Sequence, residues 1–379
     1  KEEMKILHII PSLEIGGAER LALDIVGALN KVDKIDASLV VLHDNIAYDV
    51  SSIEQVLKVI PAKIHLSIYR RNKFDLAKLQ NYVDEFAPDV IHTHLYEAEI
   101  IAKSLRYSKA SWFCHFHDNM PQMASFSLKT AFNKSLLINF FERSYLLQKF
   151  KAFKNNYIAI SQDTKNYAEK VLGSNAQIAY LKNAISFDKF FTKIKVLDKN
   201  KVLKLINVGS FQKKKNQQFL MDVVNLLVKS GIQVQLDLLG DGEHKKDVMQ
   251  KCEGLGLKEY VNFRGNVKDV PHYLAQSDIY VHSAYYEPFG LVLLEAMAAG
   301  LPVVSLNAGG NEDITIHGKN GYIFPEANPQ EFATCIQSLS EDADLYKRIA
   351  SKGQELAREY DISDYTKNLI RLYKESVKN

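Results

Sequence analysis

The chain has 379 residues, 46% hydrophobic and 25% charged, with a formal net charge of +3 at pH 7. That length suits two domains of ordinary size, and so even a charge balance offers no concentrated basic surface for a nucleic acid. Three scattered cysteines, Cys114, Cys252 and Cys335, make neither a disulfide framework nor a metal spacing, and no apolar run reaches the roughly 18 residues of a spanning helix, so a cytoplasmic chain without a cleavable leader is expected.

In chain order, short apolar runs alternate with helical patterns, which predicts parallel sheets built from βαβ units. Strands are predicted at 5–10, 37–42, 64–68, 90–94, 111–115, 157–160 and 177–181, with helices such as 18–29, 74–86 and 127–150 between them. Residues 184–201, rich in Lys and Asp and lacking an apolar period, read as a linker. A second alternation follows, with strands at 203–208, 233–239, 261–264, 279–281 and 302–305 and helices near 216–229, 243–253 and 289–299. The expected architecture is α/β, with Rossmann-like domains at 1–187 and 188–360. A last helix at about 361–379 is free to pack back on the first domain.

The densest segment, AYYEPFGLVLLEAMAAGLP at 284–302, sets Glu287 before a proline turn and Glu295 inside the helix that follows. With a helix start near Phe289 or Gly290, Glu295 lies roughly 7–8 Å along the axis from Gly290. The amides of Phe289, Gly290 and Leu291 at that start suit a diphosphate. A carboxylate on each side suits sugar hydroxyls, which together describe a clamp for ribose, diphosphate and hexose. The alternative is a solvated loop glutamate followed by a core-packed helix.

VGSFQKKKN at 208–216 ends the first strand of the second half, where ligands of open α/β sheets bind. One of Lys213, Lys214 and Lys215 there can neutralise phosphate, or all three form a solvated turn. Gly16-Gly17 precedes the first helix, either exposing amides to a ligand or making a plain turn. The pairs His92/His94 and His115/His117 each share a strand face. They are metal ligands or polar groups at strand ends, and no carboxylate or cysteine completes a ligand set, so no metal or cofactor is expected. Asp342 and Asp344 open an acidic, helix-like stretch far from these motifs and read as solvated. Lys245 stands where a dinucleotide fingerprint needs its third glycine, which disfavours a dehydrogenase.

Together with GGAE at 16–19, FHD at 116–118, LLGDG at 238–242, FRG at 263–265, GGNEDI at 309–314 and GKNGYIF at 318–324, these segments resemble glycosyltransferase family 4, enzymes of the GT-B fold. The resemblance spans nearly the whole chain and is most specific in its second half. It implies two Rossmann-like domains with parallel sheets facing a central cleft. The implied reaction is a metal-independent, retaining transfer of a hexose-type sugar from a nucleotide-diphosphate sugar, most often a UDP-sugar. The acceptor would be a glycan or lipid-linked molecule in cell-surface polysaccharide or glycolipid synthesis.

By that resemblance Lys215 contacts the donor diphosphate, Glu295 the ribose and Glu287 the hydroxyls of the transferred sugar, while His117 lies near the reacting carbon. Lys215, Glu287 and His117 form the implied catalytic set. Gly16, Gly17 and the amides of Phe289, Gly290 and Leu291 face diphosphate and sugar, and the stretch holding Arg264 and Asn266 lies near the base. Where the family often has an arginine after the glycine matching Gly209, this chain has Ser210, which leaves Lys213 or Arg264 to supply a second phosphate cation. The competing readings are a nucleotide-sugar 2-epimerase of the same fold and a non-catalytic nucleotide-sugar-binding partner subunit. Residues 127–154, basic and rich in Phe and Leu, read either as a peripheral contact with the inner face of a membrane or as a core-packed helix with a basic solvent face.

Overall fold

The computed structural model describes residues 3–66, 71–118, 120–123, 134–153, 155–173, 176–198 and 201–378. Its contacts divide the chain into two units, Lys1–Asn183 with Ile362–Asn379, and Ala184–Asp361.

In the first unit, apolar strand runs are buried on both faces, the pattern of a parallel sheet covered by helices. The chain forms β1 (Met4–Ile10), α1 (Gly17–Leu29), β2 (Ile35–Val41), β3 (Leu57–Val59), β4 (Lys63–His65), β5 (Lys73–Asp75), α2 (Ala77–Phe86), β6 (Val90–His94) and α3 (Leu95–Ala102). It continues through β7 (Ser111–Phe116), α4 (Lys134–Ala152), β8 (Asn155–Ala159), α5 (Gln162–Leu172) and β9 (Ile178–Tyr180). Seven strands make one parallel sheet in the order β3-β2-β1-β6-β7-β8-β9.

The strand expected at 64–68 is not part of this sheet. β4 pairs antiparallel with β5 in a separate two-stranded hairpin, while β3 takes the sheet edge. Lys63 and His65 are exposed on either side of Ile64, the alternation of a half-solvated antiparallel strand and not of a buried parallel one. Residues 67 and 68 lie outside the described residues. The helix expected from 74 begins only at Ala77, because 73–75 belong to the hairpin.

The second unit opens with α6 (Phe187–Phe190) and then winds β10 (Leu203–Val208), α7 (Gln217–Lys229), β11 (Val234–Leu239), α8 (Lys245–Gly254), β12 (Val261–Gly265), α9 (Val270–Gln276) and β13 (Ile279–His282). Then come α10 (Leu291–Ala298), β14 (Val303–Leu306), β15 (Tyr322–Phe324), α11 (Pro329–Glu341) and α12 (Ala343–Glu359). Its parallel sheet runs β12-β11-β10-β13-β14-β15, the doubly wound dinucleotide-fold order. Leu236, Leu238, Val281 and Val304 of the sheet pack in one core with Phe219 of α7 and Phe332 of α11, whose rings meet edge-on at 5.2 Å. Each such side chain contributes about 1.5–3 kcal/mol through burial.

The stretch read as a linker is anchored in this unit at its start: Ala184, Ile185, Phe187 and Phe190 are buried, and Arg358 stacks 4.4 Å above the Phe187 ring. Those apolar residues follow no helical or strand period, which is why the pattern gave no sign of them. The last helix, α13 (Ile362–Lys378), lies in the first unit and buries Tyr365, Thr366, Leu369, Ile370, Tyr373 and Ser376, a stripe at helical spacing. Both units are Rossmann-like, and the fold is GT-B.

Candidate functional site

In the second unit the strand order reverses between β10 and β13, so the loops leaving these two neighbouring strands flank a crevice at their carboxyl ends, where open α/β sheets bind ligands. After β10 the chain makes a 3₁₀ turn at Lys213–Lys215. Lys213 and Lys214 are exposed, whereas Lys215 turns inward and pairs with Glu287 from the loop after β13, their side chains only 17% and 14% exposed. Ser283 Oγ donates to the Lys215 carbonyl at 2.8 Å and the Tyr285 amide to the Lys214 carbonyl at 2.8 Å, fastening the two loops together.

His282, buried at the end of β13, places Nε2 3.7 Å from the same Glu287 oxygen. Burial drives the His282 pKa down to about 4, with Lys215 adding to the effect and Glu287 opposing it, so the ring is neutral at pH 7. Burial pushes the Glu287 carboxyl up, but Lys215, His282 and Lys214 outweigh it and hold the group below the usual carboxylate range. The site therefore keeps a fixed ammonium and a fixed carboxylate side by side.

The Glu287 backbone is strapped to the loop after β14: its amide donates to Ala308 O at 2.8 Å, and Gly310 N donates to its carbonyl at 2.9 Å. A Cβ on Gly310 would sit 2.1 Å from Pro288 O, so only glycine permits this approach. Asn311 secures the strap, accepting from Ala308 N at 2.9 Å and donating to Leu306 O at 2.8 Å. Gly290 then adopts φ 98°, ψ 46°, a left-handed geometry that lets the chain enter α10 directly.

In the first turn of α10 the Leu293 amide donates to Gly290 O at 2.9 Å, while the amides of Leu291 and Val292 precede any intrahelical carbonyl and lie at the positive end of the helix dipole. The Phe289 ring is buried 5.9 Å from Tyr360, and Leu291 is buried too, so these residues offer backbone and not side chain to the crevice. Glu295, in the second turn, is 9% exposed. Burial raises the Tyr280 phenol, and the charges of Glu287 and Glu295 both add to that rise.

Ser210 follows Gly209 in the loop after β10, its carbonyl accepting from Gln217 Nε2 at 3.1 Å. Arg264 and Asn266 lie at the end of β12, two strands away from β10. The Arg264 guanidinium donates to Asp237 at 3.0 Å and lies 5.9 Å from the Tyr273 ring, while Asn266 is exposed. A hollow of about 850 Å³ in the same unit is lined by Lys195, Leu203, Gln233 and Asp278 at the amino ends of the strands, the end opposite the Lys215–Glu287 pair. Chemistry and topology, not concavity, single out the carboxyl ends.

In the first unit Gly16 caps α1, and Tyr48 Oη both receives from its amide at 3.1 Å and donates to its carbonyl at 2.9 Å. Gly17 begins the helix. The Glu19 carboxyl folds back over Gly16, and burial, aided by Glu14 and Asp118 and offset by its own amide, raises its pKa to about 7. His117 lies one residue beyond β7 among four other buried histidines, His8, His92, His94 and His115. Two triplets of these could ligate a metal by proximity, His8/His92/His94 and His94/His115/His117, yet the ring nitrogens already hydrogen-bond one another.

Sequence reasoning missed His282, Asn311, Tyr48 and Tyr373. Only His282 gave a local signal, as a polar residue closing an apolar strand at the switch point. In α4, Leu146 and Phe150 are buried and Phe141, Tyr145 and Leu147 pack against the same cluster, the behaviour of a core helix over its described length. Residues 127–133 and 154 lie outside the described residues. Among those described, no helix is long and apolar enough to cross a membrane.

Residues 188–356 match the family model described as Glycosyl transferases group 1, and residues 15–189 the model described as Glycosyltransferase Family 4. An uncharacterized glycosyltransferase of Haemophilus influenzae is 30% identical over 173 residues, which span 44% of this chain and 49% of that protein. The N-acetyl-alpha-D-glucosaminyl L-malate synthase of Bacillus anthracis is 29% identical over 207 residues, 52% of this chain and 53% of that one. The matched region thus spans about half the length of these curated relatives. The crystal structure of Anabaena HepE in complex with UDP and glucose shares the fold with a TM-score of 0.76 at 22% identity, covering 98% of this chain and all of that one. The chain belongs to the family 4 glycosyltransferases.

Proposed function

We propose that this chain transfers a hexose-type sugar from a nucleotide-diphosphate sugar, with UDP as the leaving group, to a glycan or lipid-linked acceptor, retaining anomeric configuration and requiring no metal. The observation that carries this reading is the Lys215–Glu287 pair at the switch-point crevice, with Glu287 four residues before the start of α10. A complex of a protein of the same fold with UDP and glucose supports the choice of donor class.

The barrier in such a reaction is the departure of nucleoside diphosphate as an oxocarbenium-like sugar forms. A fixed ammonium and helix-start amides stabilise the charge that builds on the departing phosphate without having to reorganise. That chemistry needs neither a metal nor a protein base, since the leaving oxygen can itself take the acceptor's proton. Glu287, held ionised by Lys215, suits accepting hydrogen bonds from sugar hydroxyls and not donating a proton. Ser210 leaves Lys215 to carry the phosphate charge alone, with Lys213 as the nearest exposed cation in sequence.

The test is incubation of the whole chain with UDP-, GDP- and ADP-sugars, with and without chelator, while following release of nucleoside diphosphate. Chelator-insensitive release from a UDP-sugar is the expected result. Inversion at the anomeric carbon, or release that vanishes with chelator, contradicts it.

A further inference from the structure

The five buried histidines of the first unit are joined end to end. His115 Nδ1 meets His92 Nε2 at 3.2 Å, and His92 Nδ1 meets the Tyr373 hydroxyl at 2.5 Å. That hydroxyl meets His8 Nε2 at 3.4 Å, His8 Nδ1 meets His94 Nε2 at 2.8 Å, and His94 Nδ1 meets His117 Nε2 at 2.8 Å. Within this chain of six side chains, the two end nitrogens, His115 Nε2 and His117 Nδ1, are the ones buried without a hydrogen-bond partner among the described residues.

Burial holds His8 and His117 down at about 3 and, with their neighbours' help, the other three well below the usual histidine range. All five rings are therefore neutral at pH 7, each with one proton and one bare nitrogen. Six groups then hold six protons for five hydrogen bonds, and one proton is left over; on a Tyr373 hydroxyl accepting from both His92 and His8 it would be sealed in the interior with no acceptor, so it falls to one end of the chain. Tracing the donors from His115 to His117 puts the proton of every ring on Nδ1. Tracing them the other way puts every one on Nε2. The five rings share a single tautomer in either case.

Two features choose between the two orders. The His115 end is sealed, at 0% exposure, while His117 lies at the loop end at 6%. An unpaired N–H sealed in the interior is the rarer and costlier orphan, so the closed end is better left as a bare nitrogen. Asp118, the next residue along the chain from His117, brings a carboxylate to the loop end and favours a proton there.

We propose that these five imidazoles and the Tyr373 hydroxyl form one proton-ordered chain that fixes His117 as the Nδ1–H tautomer, a hydrogen-bond donor aimed at an oxygen acceptor. Tyr373 is a positioning residue, since it acts on His117 only through His8 and His94. That the acceptor oxygen belongs to a sugar donor rests on the proposed function; the proton order does not.

The test is ¹⁵N–¹H correlation of the imidazole rings in the ¹⁵N-histidine-labelled full chain at pH 7, which separates the two tautomers without reference to activity. All five buried rings should be Nδ1–H by about tenfold or more, equivalent to about 1.4 kcal/mol. In Tyr373→Phe, which keeps the ring and removes the bridging O–H, at least one side of the broken chain should show mixed tautomers. A mixture among the five in the unaltered chain, or a uniform Nε2–H set, overturns the proposal. So does stoichiometric cobalt(II) or zinc shifting these rings, because a cation needs the nitrogens bare. An unchanged spectrum in Tyr373→Phe removes Tyr373 from the chain. The unaltered protein decides the order by itself, even if that variant does not fold. A missing transferase activity with five Nδ1–H rings would count against the proposed function and leave this inference standing.

Discussion

Lys215 is the one of three consecutive lysines that the turn directs inward, and its partner Glu287 arrives from a strand more than sixty positions later. With one ammonium to stabilise a departing phosphate, the transition state depends on it more than the bound donor does, because donor binding also draws on α10 and on hydroxyl contacts. Lys215→Ala should lower kcat by about 10²–10³-fold while shifting donor affinity by less than tenfold. Single-turnover rates set beside equilibrium titration with UDP check this, and equal losses in both would reduce Lys215 to a binding group. The Glu–Pro–Phe–Gly turn and the helix start were legible in the sequence because proline and glycine fix backbone geometry locally. His282 and the histidine chain were not, since their meaning depends on strands and a helix that meet only in three dimensions.

Among the elements, the loop pair after β13 and β14 is held by close backbone approach and not by side-chain bulk. Gly310→Ala forces a Cβ against Pro288 O, so the Glu287 strap must shift; about 1–3 kcal/mol of stability should be lost, together with transferase activity, measurable by thermal unfolding and sugar transfer side by side. The acidic pair at 342 and 344 behaves differently. Asp342 caps α12, accepting from the amides of Asp344 and Leu345 at 3.0 and 2.9 Å. Asp342→Ala should cost about 1 kcal/mol and leave turnover and its metal response unaltered; a metal-dependent loss of activity would instead mark the pair as ligands. Periodicity located most of the strands and the long helices. It failed for β3, β5 and β15, three residues each, where too few positions exist to show a period, it located β4 but not its antiparallel partner, and it failed for the start of the second unit, whose buried phenylalanines are anchored by Arg358 far along the chain.

For the molecule as a whole, the buried histidines tie the first unit's stability to pH. Their folded pKa values lie below the unfolded value of about 6.5, so an acidified unfolded chain binds protons that the native one refuses. Stability is then fully present above about pH 6.5 and falls as pH drops, by up to about 1.4 kcal/mol per pH unit for each ring. Trp112 is the chain's one tryptophan and is buried in this unit, so its fluorescence reports it selectively. Urea midpoints followed at Trp112 should climb from pH 5 to 6.5 and then level off, and a flat profile would show that the rings accept protons in place. The two-domain plan was legible because each half repeats its own strand–helix alternation. The placement of α13 was not, because an amphipathic stripe says that a helix packs but not on what.

That placement bears on how the protein is made. The first unit's sheet leaves the ribosome early, yet the helix that covers it and carries Tyr373 comes after the 178 residues from 184 to 361. At translation speeds of about 5–20 residues per second, the nascent sheet waits about 9–36 s with the seat of α13 open, its histidines lacking the hydroxyl that joins them. A fragment ending near 183 would remain in that unfinished state indefinitely, making the early product a natural client for holding chaperones.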